Sequence, residues 1–524
     1  MSTTILDLPS ELIASIFHFL NDGDIFAARS ANRVLERASF SFFAKRFFRK
    51  KGYMITTPSL QVLQSVAAHE ELRPYVQHVW FNPDCFTFGS LNPITPTDHA
   101  CPSAGTESGI DGRLPDFTQS EQSRYEAYSE CIEDYHQLIF SETKLAEMLT
   151  AAFATLPNLK AVGMRRSDQH SPWGWQRLKD AIGQDPRELG EIPEGQSFLL
   201  SGPTQLYIPL MKALAASGAI IQRLYTDAIE IDDISPEALP QEALAEASCS
   251  VLYLEINATK GNLIKLDLPG AGNAQSTSVQ NPSGLSKLLS ATPNLRELGL
   301  MIFPDRKQSH LIPPQPYRPE SWRTSYPYKA LERLSASIKL QNLRRIKLEK
   351  FTVSPSILIS LLQPSAQHLT SIKLRDIRLL PDLQDSATST FNPNADRTWE
   401  PIFNFLATFC PKLSYLLLYH LSHPSGGIRF VANASHTQPE DQIVTHLEGA
   451  GEFMDYENIS VEAGIPHSDP DLQGPEKREE IMRARRVVGD RVRALVEGHW
   501  YGRNTYSYEM DDLLWHTDTS DEEW

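Results

Sequence analysis

Pro293-Asn294-Leu295-Arg296-Glu297-Leu298-Gly299-Leu300 carries the apolar phrase LxxLxL, and that phrase recurs. A close form is Leu156-Pro157-Asn158-Leu159-Lys160-Ala161-Val162-Gly163-Met164. Others are Leu263-x-x-Leu266-x-Leu268, Asn342-Leu343-x-x-Ile346-x-Leu348, His368-Leu369-x-x-Ile372-x-Leu374 and Pro411-Lys412-Leu413-x-x-Leu416-x-Leu418. The last two apolar groups of each copy alternate on a short strand and point inward, and the first closes the turn into it. Helix-compatible runs precede several copies, at 285–291, 357–362 and 402–409. Stacked helix–strand copies bury a continuous core that no single copy could bury. The copies at 295, 343, 369 and 413 are 48, 26 and 44 residues apart, so two of the intervals must hold insertions. The rival reading is a non-repetitive α/β domain with several amphipathic strands.

Working outward, 59–69 reads as a helix and 72–81 as a strand, together a first repeat. A single helix is expected over 125–153. Insertions rich in Pro, Gly or small polar residues lie near 82–122, 269–282, 304–328 and 381–397, and 304–328 holds six prolines. Such loops are expected on the surface, as specificity elements or as plain insertions. Trp173-Gly174-Trp175 reads either as an aromatic binding spot or as a loop anchor. Residues 420–461 lack the phrase. A Pro-rich linker runs over 465–478, a basic helix over 479–496 with Ile481, Val487, Val488 and Leu495 inward, and an acidic tail over 511–524.

The chain has 524 residues, enough for a sizeable core, and a formal net charge of -16. That balance argues against whole-protein attraction to nucleic acid or to an anionic membrane. Residues 1–60 run the other way, with eight Lys/Arg against five Asp/Glu. Cys85, Cys101, Cys131, Cys249 and Cys410 are scattered and odd in number, which predicts free thiols rather than a disulfide framework or a structural zinc site. No apolar run reaches 18 residues and no basic region precedes an apolar one at the N-terminus. A cytoplasmic or nuclear protein is expected.

The segment from Leu6 to Phe48 predicts three short helices. Leu8-Pro9-Ser10-Glu11 reads as a helix start, with Leu12, Ile13, Ile16, Phe17 and Leu20 forming an apolar stripe. Asn21 to Asp24 is a turn in which Asp24 is expected to cap the second helix, carrying Ile25, Phe26, Ala28 and Ala31. Val34, Leu35, Ala38, Phe42, Phe43, Phe47 and Phe48 supply the third. So many large apolar groups in so short a segment must face one another, the following domain, or a partner.

This segment resembles an F-box. The match runs Leu8-Pro9-x-Glu11-Leu12-x-x-x-Ile16-Phe17-x-Phe19-Leu20, then Asp24-Ile25-x-x-x-Arg29, then Val34-Leu35 and Ala38. The third helix departs from the family pattern at Asn32-Arg33 and Val34-Leu35. The recurring phrase resembles an irregular leucine-rich-repeat body, of the kind common in fungal F-box proteins. The resemblance implies a mixed α and β chain: a small N-terminal helical F-box at 1–50, an irregular leucine-rich-repeat solenoid with long loop insertions at 51–460, and a linker, basic helix and acidic tail at 461–524. It further implies docking on a Skp1-like adaptor, and through it on a cullin–RING ubiquitin ligase of SCF type. The contacts would fall around Leu8, Pro9, Leu12, Ile13, Ile16, Leu20, Ile25 and Leu35. The body would hold an unidentified protein substrate. The alternative is a repeat scaffold acting outside a ligase.

Motifs for chemistry are lacking. No phosphate-cradling GxGxxG or GxxxxGK[ST], no GxSxG elbow and no HExxH is present. His420 and His423 form HxxH, read here as exposed loop histidines rather than metal ligands. No catalytic residue, metal or cofactor is expected, and neither nucleic acid nor membrane is expected as a partner.

Overall fold

The computed structural model describes residues 5–83, 119–141, 143–165, 171–186, 202–259, 283–303, 326–382, 398–423, 426–430, 460–464, 475–496 and 500–503. The chain forms two compact units, Met1–Val279 with Lys287–Asn294, and Gln280–Ser286 with Leu295–Trp524.

The first unit opens with helices α1 (Ser10–Phe17), α2 (Asp22–Ala31) and α3 (Arg33–Phe48). α3 passes through Arg49 straight into strand β1 (Lys50–Met54), with no linker. There follow α4 (Thr57–Ala68), β2 (His78–Asn82), α5 (Gln119–Phe140), α6 (Lys144–Phe153), β3 (Ala161–Met164), α7 (Trp175–Ile182), α8 (Gly202–Ser217), β4 (Arg223–Ile229), α9 (Gln241–Ser248) and β5 (Tyr253–Thr259). All five strands pair parallel and in chain order, Lys50 beside His78, then Ala161, Arg223 and Tyr253. Helices α4, α6, α8 and α9 pack against one another in the same order. This is a solenoid-type α/β arrangement, because each parallel step needs a crossover and the helices supply it.

Register sorts the side chains by parity. Val79, Val162, Leu224 and Leu254 form one buried row, and Val76, Leu159, Ile221 and Val251 close the turns just before the strands. One carbonyl per step accepts two backbone N–H groups of the next segment. Gln77 O takes those of Lys160 and Ala161, Lys160 O those of Gln222 and Arg223, and Gln222 O those of Leu252 and Tyr253. On the opposite parity Trp80 lies across Gly52 and Tyr225 across Gly163, close approaches that only glycine permits. The outer edge of β1 is covered by Trp173, whose N–H donates to Gly52 O at 2.8 Å and whose carbonyl accepts from Met54 N–H at 3.3 Å. Trp175 is buried, and its Nε1–H donates to Asp185 Oδ1 at 3.3 Å. The Trp-Gly-Trp stretch is therefore a loop anchor.

The division between units falls within α10 (Gly284–Ser290). The second unit continues with β6 (Glu297–Phe303), α11 (Tyr326–Ser337), β7 (Arg345–Glu349), β8 (Thr352–Val353), α12 (Pro355–Leu362), β9 (Ser371–Arg375), β10 (Arg378–Leu379), α13 (Glu400–Phe409), β11 (Tyr415–Tyr419), β12 (Ser422–His423), β13 (Gly426–Phe430), β14 (Ser460–Gly464), α14 (Pro475–Val496) and β15 (Trp500–Arg503). β6, β7, β9 and β11 run parallel in chain order, and β14 pairs antiparallel with β11. Leu298, Ile346, Ile372 and Leu416 form one buried row, and Leu300, Leu348, Leu374 and Leu418 the next. Leu295, Leu343, Leu369 and Leu413 are buried at the preceding turns. The short strands β8, β10 and β12 build a second sheet with β13 and β15. Between each long and short strand a non-glycine residue turns the chain in the left-handed region: Lys350, Asp376 and His420, with φ of 61°, 53° and 50°.

Several expectations are corrected. The helix expected over 125–153 is two, α5 and α6, separated at Ser141-Glu142-Thr143, where Ser141 Oγ accepts the Lys144 N–H at 3.0 Å. His420 is not an exposed loop residue. It stands in the tight turn between β11 and β12, its side chain is 12% exposed, and its Nδ1 meets Asp376 Oδ1 at 3.1 Å. On α14, Ala484, Val488, Val492 and Leu495 face inward, while Ile481 and Val487 are half-buried. The copy at 263–268, most of the four insertions, residues 465–474 of the linker and the tail at 511–524 lie outside the described residues, and residues 475–478, expected in the linker, form the first turn of α14.

Candidate partner-binding surface

The three N-terminal helices are fixed by short-range caps and a small shared core. Asn21, rather than Asp24, caps α2: its Oδ1 accepts the Asp24 N–H at 2.9 Å, and its Nδ2 donates to Asp24 Oδ2 at 2.6 Å. Asn32 caps α3 by accepting the Val34 N–H at 2.7 Å. Ile13, Phe17, Ile25 and Leu35 are buried together, with Leu8, Leu20, Ala28, Ala38, Phe42, Phe43 and Phe47 packed against them. Arg29 ties α2 to α3. Its guanidinium lies 3.9 Å from the Phe43 ring centroid and donates to Glu36 O at 2.8 Å and Ser39 Oγ at 3.0 Å. Burial lowers its pKa from the ordinary arginine value, and the Glu36 carboxylate opposes that shift. Arg46 pairs with Asp22 at 2.7 Å. α3 is anchored on the strands that follow: Phe40 meets Tyr75 edge-on at 6.1 Å, and Arg49 O accepts the N–H groups of Gln77 and His78.

The eight residues expected to contact a partner divide by exposure. Ile13, Ile25 and Leu35 are buried in the helical core, where they hold the surface in shape rather than form it. Leu8, Ile16 and Leu20 are half-buried. Pro9 is exposed and Leu12 is 52% exposed. Among the described residues, five further large apolar side chains of the N-terminal segment are exposed: Phe19 at 89%, Phe26 and Val34 at 49% each, Ile5 at 44% and Leu6 at 39%. Helix α1 and the turn that follows it thus carry two adjacent apolar stripes. Ile13, Phe17 and Leu20 turn inward, and Leu12, Ile16 and Phe19 turn outward, at the same spacings of three and four. The second stripe was legible as apolar, but the assignment of faces was not. An open groove lies at the α2–α3 corner, lined by Phe26, Ala31, Asn32 and Glu36.

Among the described residues no three His, Cys, Asp or Glu side chains are placed to hold a metal ion. Also among these, no helix is long and apolar enough to cross a membrane. Burial pushes the Cys131 and Cys410 thiols up to about 12, helped at Cys131 by the Asp134 carboxylate, so both are protonated and poor nucleophiles near neutral pH.

No family model matches the sequence, and no curated protein matches it. Among solved structures, the leucine-rich repeat-containing protein LegL7 from Legionella pneumophila is similar to this chain at 9% identity, over 71% of this chain and 90% of that one, with a TM-score of 0.25. A likeness of that degree carries no argument. The repeat architecture rests on the strand register itself.

Proposed function

We propose that this protein is a non-catalytic interaction scaffold whose N-terminal helices dock on a Skp1-like adaptor and, through it, on a cullin–RING ubiquitin ligase, while the leucine-rich-repeat-like body holds a protein substrate. The observation that carries the reading is the outward stripe Leu12, Ile16 and Phe19, on α1 and the turn after it, whose other stripe is already spent on the helical core. An apolar helix face left in water marks a partner site. The order LPxEL, followed by Asp24-Ile25 and Arg29, supports an F-box type of partner. The body contributes by holding a substrate near the ligase arm, which raises effective concentration without chemistry of its own.

The test is capture of purified Skp1-like adaptor and cullin by the full chain beside a Leu12→Asp, Phe19→Asp variant. Full burial of one such side chain contributes about 1.5–3 kcal/mol, roughly tenfold or more in affinity. The variant is expected to lose at least tenfold in adaptor binding while its circular dichroism stays unchanged, since both side chains are exposed in the free chain. Equal capture by both proteins, or no capture by either, overturns the reading.

A further inference from the structure

The face of the second unit's sheet opposite its leucine rows has a charge pattern that the adaptor reading does not use. Register places Arg345 beside Ser371, Lys347 directly beside Lys373, and Glu349 beside Arg375. Four cations therefore stand on two adjacent strands. Among the described residues three carboxylates meet them: Glu297 lies 3.4 Å from Arg345, Glu349 is shared by Lys347 at 3.5 Å and Arg375 at 3.9 Å, and Asp376 lies 3.7 Å from Arg375. Glu349 is sunk at 6% exposure, whereas the Lys347 side chain is 42% exposed, so in that pair the positive charge is the outer one. On the next strand Lys373 lies over the Tyr415 ring and Arg375 over Tyr419, at 5.3 and 5.1 Å.

Facing lysines on neighbouring strands repel, which costs stability. The patch stands against the balance of a chain whose formal net charge is -16. We propose that Arg345, Lys347, Lys373 and Arg375 form a docking face for an acidic peptide segment of a protein partner. This rests on the reading of the body as the substrate-holding part and names the chemistry it would hold. A protein segment fits better than nucleic acid. Glu297, Glu349 and Asp376 interrupt the patch and would oppose a continuous phosphate backbone, and Tyr415 is buried and offers no stacking platform.

The test is fluorescence anisotropy of a labelled deca-glutamate peptide with the full-length protein. Saturable binding is expected, weakening at least tenfold as salt rises from about 0.05 to 0.3 M, as screening requires. Lys347→Glu with Lys373→Glu should weaken it at least tenfold. The milder pair Lys347→Gln and Lys373→Gln, which leaves no new charge beside Glu349, should weaken it at least threefold. Arg478→Glu with Arg486→Glu, on the exposed side of α14, should leave it unchanged. The Leu12→Asp, Phe19→Asp variant should bind the peptide like wild type, so loss of the adaptor reading and loss of this one are distinguishable. Absence of saturable binding, indifference to the Lys347 and Lys373 changes, or tighter binding of a single-stranded oligonucleotide overturns the proposal. So does binding seen only after removal of residues 504–524, which would give the face to the chain's own acidic end.

Discussion

Tyr225 is held from several directions at once. Its hydroxyl meets His78 Nε2 at 2.7 Å, the Arg165 guanidinium lies 5.3 Å from its ring centroid, and the ring rests on Gly163. A Cβ at Gly163 would stand 2.4 Å from the ring, far inside van der Waals contact, and a ring tied by hydroxyl and cation cannot easily yield. Gly163→Ala is therefore expected to destabilise the first unit by about 1–3 kcal/mol, the usual cost of overpacking. The reason is specific to the pair, so Gly163→Ala combined with Tyr225→Ala should cost less than the two single changes added together. Urea denaturation followed by tryptophan fluorescence reads both quantities. Strict additivity would show that the strain lies elsewhere.

At the scale of the element, the leucine rows give the sheet its register, and one step of parity separates core from surface. Leu374 is buried between Leu348 and Leu418, whereas its neighbour Lys373 belongs to the charged face. Leu374→Ala is expected to cost about 2–5 kcal/mol, and Lys373→Ala about 1 kcal/mol or less, in denaturant unfolding followed within the second unit. This parity was legible from the LxxLxL copies at 295, 343, 369 and 413. β4 and β5 were not, because Ile221 and Val251 replace the first leucine and Thr226 a later one. A β-branched side chain at those three positions occupies the same core, so a search keyed to leucine passes over them. Insertions hid the spacing as well: His78 and Ala161 are neighbours in the sheet although 83 residues apart in the chain. The candidate site was half legible for a related reason. Leu12 and Ile13 are chemically alike and adjacent, and what decides their faces is the packing of α1 on α3 through contacts such as Phe17 with Phe42 at 6.4 Å. No local pattern in α1 encodes that choice.

At the scale of the whole molecule, the division into two compact units makes a single unfolding transition an unsafe expectation. In repeat arrays each segment touches mainly its sequence neighbours, so stability is close to a sum of local terms, and a chain of this length commonly unfolds through intermediates. Leu224 stands in the buried row of the first unit and Leu374 in that of the second. Leu374→Ala should therefore speed hydrogen exchange of β7, β9 and β11 amides under mild urea while leaving those of β2, β3 and β4 near their wild-type rates. Leu224→Ala should do the reverse. The N-terminal helices belong to the first unit, so adaptor capture should survive Leu374→Ala and weaken with Leu224→Ala at the same urea concentration. If either substitution accelerates exchange equally in both sets of strands, the chain unfolds as one cooperative body, and the separation of docking end from substrate face would lose its thermodynamic basis.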